Sequence, residues 1–443
     1  MSLAPITALY PAHVAELDRR YAAALASVGL DAVVLHGGVP LKKTRFDDQW
    51  WPLRATPHFH HWVPLTEPGS ALVVRPGHAP LLATPSAVDF WEQPAEPESR
   101  HFEPHVARVS LANLDDLKPH LPSGSVGFVG DDEAQAARWG ITRVNEPAVL
   151  SALDELRVHK TAYEVACLAE ANRRATDGHL ALREAFFAGE DDELMLHLAY
   201  LRATGQDDPA TPYKNIVARG AHAATLHHVS YARRVSGAGA TSLLVDAGAG
   251  CLGYGSDITR TWARGTGAAA DLYASLVEAV DALQRTLVAE ARVGVMYEAL
   301  HDRAHELVGE ALAALGIVKC SAAVAVESGV TRAFFPHGLG HSLGVQTHDV
   351  GCAKIKPRDD NPFLRNTRRI EAGQVFTVEP GVYVIPGLLR PVREGEHAAK
   401  VDWDAVDALA PFGGVRVEDD LFITDEGAVN LTRGALPDLP LRG

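Results

Sequence analysis

The sequence predicts an α+β chain in two units, a smaller α/β unit over residues 1–155 and a larger, mostly antiparallel one over 156–443. Three observations carry that expectation. Short apolar runs bounded by Gly, Pro or Asp lie between helical stretches in the first third of the chain. A long helical pattern over 157–188 then sets that region apart from the rest of the chain. Beyond it come strand pairs, TSLLVDAG with YGSDITRTW and QVFTVEPG with GVRVEDDLFIT, interleaved with helices. At 443 residues and 47% hydrophobic content, the chain exceeds one ordinary core.

The first 30 residues read as an amphipathic helix, since Val14, Leu17, Tyr21, Leu25 and Val28 recur at helical steps before Gly29 stops it. DAVVLHGG (31–38), SALVVRPG (70–77) and SVGFVGDD (125–132) have the length and boundaries of strands. Within the helical pattern of 157–188, Gly178 marks a candidate break. Further helices are expected near 190–204 and 270–315. Each half of the larger unit delivers a strand pair bearing two carboxylates, Asp246 with Asp257 and Glu379 with Glu418, a weak internal duplication.

Composition removes several classes of function. A formal net charge of −15, from 56 acidic against 41 basic residues, repels phosphate backbones and anionic lipid surfaces, so neither nucleic acid nor membrane is an expected partner. Glu16 and Asp18 fall where a signal peptide carries its apolar stretch, and no later run approaches a membrane span. Cys167, Cys251, Cys320 and Cys352 form no CxxC pair or framework, which suits a reducing, cytoplasmic setting.

The acids at the strand ends suggest metal chemistry. Asp246 ends one strand and Asp257 begins the next after a turn built from Gly248, Gly250, Gly253 and Gly255, so a hairpin folds both carboxylates toward one point. Period-two alternation puts Asp257, Thr259 and Thr261 on one face, making Thr259 a supporting donor, and pairs Thr377 with Glu379 and Arg416 with Glu418. Four carboxylates converging without cations repel one another. Two divalent ions cancel that charge, and oxygen-dominated ligation favours Mn²⁺, with Co²⁺ and Zn²⁺ as alternatives. Bridging carboxylates can hold such a pair about 3.5–4 Å apart around an activated water.

PHGLGHSLGVQTHD, with VDAG, DITRTW, TVEPG and GGVRVEDD, resembles the metal-dependent pita-bread peptidases that include methionine aminopeptidase, aminopeptidase P and prolidase. FDDQWWPLRATPHFHHWVPL near residue 46 is similar to the Xaa-Pro dipeptidase branch and its organophosphorus acid anhydrolase relatives, and the likeness covers nearly the whole chain. The resemblance implies a C-terminal pita-bread domain behind a smaller α/β domain that serves dimerisation and rims the active site. Asp246, Asp257 and Glu418 then match the ligands of one metal, and Asp257, His341, Glu379 and Glu418 those of the other, with Asp257 and Glu418 bridging. His348 and His227 match the active-site histidines, with Glu379 as the proton acceptor. Tyr213, His337, Arg365 and Arg416 match the residues that face substrate. His228 stands where the family usually carries Tyr.

The implied reaction is hydrolysis of Xaa-Pro dipeptides. An Xaa-Pro bond offers no N–H, so recognition must read the ring and the free carboxylate, a task suited to Arg365 or Arg416. A metal hydroxide and a tetrahedral intermediate also suit phosphotriesters as a side reaction. An aminopeptidase P-like action on longer Xaa-Pro peptides and a metal-free peptide-binding module are the competing expectations. The resemblance further implies a homodimer in which the surroundings of Asp47, Asp48 and Trp91 edge the partner's active site.

Three motifs are set aside. GAGCLG (248–253) has dinucleotide-loop spacing, but a returning strand rather than a helix follows it. HDRAH (301–305) imitates a zinc helix without a third ligand and reads as a solvated helix face. His60 and His61 read as surface or interface residues.

Overall fold

The computed structural model describes residues 2–86, 91, 96–233, 241–350, 355–436, 438, 440 and 441. They divide into two compact units, Met1–Cys167 and Leu168–Gly443.

The first unit is built on a six-stranded mixed sheet. Across it lie the strands Ala107–Leu111, Leu81–Pro85, Ala71–Val74, Ala32–His36, Val126–Val129 and Arg143–Val144, in that order. Ala32–His36 is buried throughout, runs antiparallel to Ala71–Val74 and parallel to Val126–Val129, and so sits at the centre, as its unbroken apolar run requires. Val34, Val73, Phe128 and Trp139 form the heart of its core. The N-terminal helix is Tyr10–Ser27, with Leu17, Tyr21 and Leu25 on its buried face, and Gly29 follows it at φ +66. His61 departs from its expected surface position. It is 1% exposed, with Nε2 3.3 Å from Glu164 Oε1, a carboxylate that compensates the buried ring.

In the second unit every strand pair is antiparallel. Thr241–Asp246 lies between Thr259–Arg264 and Ile216–Arg219; Asp419–Thr424 lies between Val375–Val378 and Gly427–Asn430; Gly381–Tyr383 pairs with Gly414–Arg416. Helices Ala268–Glu290 and Tyr297–Ala314 supply much of the main core, including Val277, Val280, Leu300 and Val308. After Gly248 the chain makes the small hairpin Gly250–Cys251 with Tyr254–Gly255 and returns as a strand, so no nucleotide-loop helix comes after it.

Gly178 does not break its helix, which runs uninterrupted from Ala162 to Phe187. The glycine serves packing instead: a Cβ there would lie 2.5 Å from the Tyr200 ring and 2.7 Å from Thr204 Cγ2. Gly178→Ala is therefore expected to destabilise by about 1–3 kcal/mol through overpacking, against a helix-propensity gain of about 1 kcal/mol. A denaturant midpoint that rises on substitution would refute this reading.

Candidate active site

The five expected ligands come together at the ends of antiparallel strand pairs in the second unit. Asp246 closes the Thr241–Asp246 strand opposite Thr259, and Asp257 stands just before that returning strand. Glu379 follows Val375–Val378, whose last residue pairs with Asp419, so Glu379 and Glu418 leave neighbouring strands together. A bridge between Thr259 and Glu418 joins the two strand pairs. His341 is held against the second pair, its carbonyl accepting the Thr377 N–H at 2.9 Å. Its Nε2 lies 3.2 Å from Asp257 Oδ2, 3.8 Å from Glu379 Oε1 and 4.0 Å from Glu418 Oε1.

Without a cation this arrangement is electrostatically incomplete. Burial pushes the Asp257 carboxyl up and Asp246 pushes it further. Burial, with the charges of Asp257 and Glu379, drives Glu418 well above the carboxylate range, and Glu379 is pushed up to about 7. His341 moves the other way from what burial dictates, because Asp257 and Glu379 outweigh it and lift the imidazole to about 9. Its Nδ1 is anchored on the Ser342 carbonyl at 3.0 Å, so Nε2 is the atom turned to the acids. Asp246 Oδ1 is buried with no hydrogen-bond partner. Four carboxylates, one fixed imidazole and an orphaned buried oxygen fit hard or borderline divalent cations.

The surrounding donors hold this arrangement. Thr259, expected to serve its own face, donates to Glu418 Oε2 at 2.7 Å. Tyr213 donates to Asp257 Oδ1 at 2.5 Å. Arg416, expected to face substrate, is 4% exposed, and its guanidinium donates to Asp246 Oδ2 at 2.6 Å and to the Tyr383 hydroxyl at 2.9 Å. Packing opposite charges at a buried site satisfied Arg416 internally. Tyr383 is in turn 2.8 Å from His337 Nε2, whose Nδ1 lies 2.8 Å from the Gly338 carbonyl. Burial and then Arg416 push His337 down to about 3, so the ring is neutral, with Nδ1–H donating and Nε2 accepting from Tyr383. His348 stands against His341, ring centroids 4.4 Å apart at 80°. His227, His348 and Arg365 are exposed, and the charges of His227 and Arg365 both reach His348.

Sequence reasoning missed three supporting residues. Asp420 Oδ2 accepts the Asp257 N–H at 3.0 Å and the Asn172 amide at 2.8 Å, which fixes the backbone of an expected ligand. Asp419 points the other way and binds Arg260 and Arg433, each at 2.7 Å. The run Glu418-Asp419-Asp420 on a buried strand was the available signal; nothing local marked Tyr383.

The pattern of a metallopeptidase domain, described as metallopeptidase family M24, matches residues 144–425, the span that contains this whole cluster. The chain belongs to metallopeptidase family M24. The domain described as the Xaa-Pro dipeptidase N-terminal domain matches residues 8–154 of this M24 chain. Curated relatives named Xaa-Pro dipeptidase are similar over almost the full length. The one from Marinobacter nauticus is 41% identical, covering 96% of this chain and 97% of the relative. The one from Xanthomonas campestris is 40% identical, covering 98% and 99%. Among solved structures, proline aminopeptidase P II from Yersinia pestis superposes with a TM-score of 0.73 at 22% identity, covering 96% of this chain and 97% of the other. That likeness, with the antiparallel strand pairs, gives the second unit the pita-bread fold.

One histidine pair of the M24 domain departs from its expected place. His301 and His305 are each 3% exposed rather than solvated, and both rings pack against Phe335. Burial pushes His301 down to about 4 and His305 to about 3 from an ordinary 6.5. As pH falls through 6.5 the unfolded chain takes up protons that the folded one refuses, so their contribution is intact above 6.5 and is lost between there and about 4. His305→Phe is expected to flatten that part of the stability curve. Parallel melting curves for both proteins between pH 7 and about 4 would count against it.

Proposed function

We propose that this chain is a metal-dependent Xaa-Pro dipeptidase that releases C-terminal proline, with Asp246, Asp257 and Glu418 as ligands of one divalent ion and Asp257, His341, Glu379 and Glu418 as ligands of a second. The observation that carries the reading is the cluster of three carboxylates, Asp257, Glu379 and Glu418, around His341 Nε2, with the charge of Asp246 reaching them, in a chain similar end to end to Xaa-Pro dipeptidases. The donor set supports Mn²⁺ over softer ions.

When bound, the metal pair supplies a water acidified toward neutrality and polarises the scissile carbonyl. Glu379 accepts the proton of the attacking water and passes it to the proline nitrogen as the bond breaks. His348 and His227 donate hydrogen bonds to the carbonyl oxygen as negative charge grows on it. Tyr213 and Arg416 hold Asp257 and Asp246 in place, and the Arg416–Tyr383–His337 line carries that order to the pocket wall. Since Arg416 is occupied by Asp246, Arg365 is the arginine at hand for the substrate carboxylate.

Arg365→Ala is expected to raise KM for Gly-Pro about 10- to 100-fold, the worth of a charge-assisted pair. Gly-Pro amide should be affected little, and equal effects on both would remove the clamp. The reading as a whole is tested by comparing Gly-Pro, Leu-Pro, Leu-Ala and Arg-Pro-Pro with and without added Mn²⁺. Metal-dependent cleavage of the two Xaa-Pro dipeptides alone is expected. Cleavage of only the tripeptide would establish an aminopeptidase P-like action in its place.

The same reading includes a homodimer in the cytoplasm. Phe46, 85% exposed beside Asp47 and Asp48 in the chain, and Trp91, 81% exposed, offer apolar surface for a second copy, and Cys167, Cys251 and Cys320 form no disulfide. Cys352 lies outside the described residues.

A further inference from the structure

Away from the carboxylate cluster, Glu193, His222 and His228 converge with ligand atoms all within 4.8 Å of one another. Glu193 opens the helix Glu193–Thr204, His222 lies in the turn Gly220–Ala224, and His228 follows the site histidine His227. The carboxylate is 0% exposed, and each of its oxygens has two partners. Oε1 accepts the Arg219 N–H at 2.8 Å and faces His222 Nδ1 at 2.7 Å. Oε2 accepts the Ala232 N–H at 2.7 Å and faces His228 Nε2 at 2.8 Å. Burial alone would raise this carboxyl, but the Arg219 N–H and the three other donors outweigh it, so it is ionised. The two imidazole rings stack, centroids 4.5 Å apart. The guanidinium groups of Arg219 and Arg264 are both engaged by Asp191.

We propose that Glu193, His222 and His228 form a second, separate site for a borderline divalent ion of the Zn²⁺ type. The two backbone N–H groups fix the carboxylate from one side, as outer partners fix a metal ligand. The two imidazole nitrogens occupy its other side, where a cation takes the place of their shared protons. Each imidazole would bind through the nitrogen that now faces Glu193. Tetrahedral coordination at about 2.0–2.1 Å through one carboxylate oxygen and the two imidazoles needs donor atoms about 3.3 Å apart, within the 4.8 Å that now spans the three residues. His222, 39% exposed, leaves the fourth position to water. One carboxylate and two imidazoles select Zn²⁺ over the Mn²⁺ that suits an oxygen-rich cluster.

The test is total divalent metal per chain, measured by elemental analysis of Mn²⁺-loaded full-length enzyme after equilibration with micromolar Zn²⁺. Wild type is compared with His222→Gln and His228→Gln, which keep an N–H donor for Glu193 but not an imidazole ligand. Wild type is expected to hold one equivalent more than either variant, whatever exchange occurs in the carboxylate cluster, and all three should retain Mn²⁺-dependent turnover. His222→Ala, at the most exposed of the three positions, controls for misfolding and should also lack that equivalent. Equal metal content in wild type and variants overturns the site and leaves Glu193 as a hydrogen-bonded anchor for the loop.

Discussion

Chelation is expected to lower the melting temperature of the enzyme by roughly 8–16 °C and to abolish turnover. An ion at a thousand times its Kd stabilises by about 4 kcal/mol, and each kcal/mol shifts a unit of this size by about 2–4 °C. The sign follows from the site: without cations burial and Asp246 push the Asp257 carboxyl up, and burial and Asp257 push Glu418 well up, so holding this set of acids ionised costs the folded state stability. Readdition of Mn²⁺ should restore both melting temperature and activity. A melting curve unchanged after verified metal removal would show that the cluster does not hold structural charge.

Asp420→Ala is expected to weaken metal binding about 10- to 100-fold although Asp420 is not an expected ligand. Its carboxylate fixes the Asp257 N–H and is itself fixed by Asn172, which Thr432 holds at 2.7 Å. Removing it frees the backbone that aims Asp257. The defect should appear as a higher Mn²⁺ concentration for half-maximal turnover, with most of kcat recovered at saturating Mn²⁺. Loss of kcat that no Mn²⁺ concentration repairs would instead place Asp420 in the chemistry.

The strand ends and the acids they bear were legible because alternation and turn chemistry are local. Asp246, Asp257, Glu379 and Glu418 each follow or precede a short apolar strand, and all four strands are present. The sheet of the first unit was legible only in part: Leu81–Pro85 and Ala107–Leu111 were not expected, the latter having only Leu111 buried. The local misreadings all depended on distant neighbours. Gly178 looked like a break because its partner Tyr200 lies on another helix. His301 and His305 looked solvated because Phe335, which covers them, is remote in sequence. The pairing of Arg416 with Asp246 was likewise hidden, because nothing in its segment shows that a carboxylate from another strand reaches it. The roles of His227, His348 and Arg365 came from resemblance, since exposed side chains carry no periodic signal.

The acid run Glu418-Asp419-Asp420 also acts on folding fidelity. Along this strand the middle acid faces Arg260 and Arg433, while its neighbours face the metal cluster and the Asp257 amide. A slip of one residue in pairing with Val375–Val378 would exchange those faces, setting two acids against the arginines and leaving a single shorter one for the cluster. The mispaired sheet would bury the same apolar side chains but could neither set Glu418 beside His341 nor balance the guanidinium groups. Charge thus proofreads a register that hydrophobicity alone leaves ambiguous.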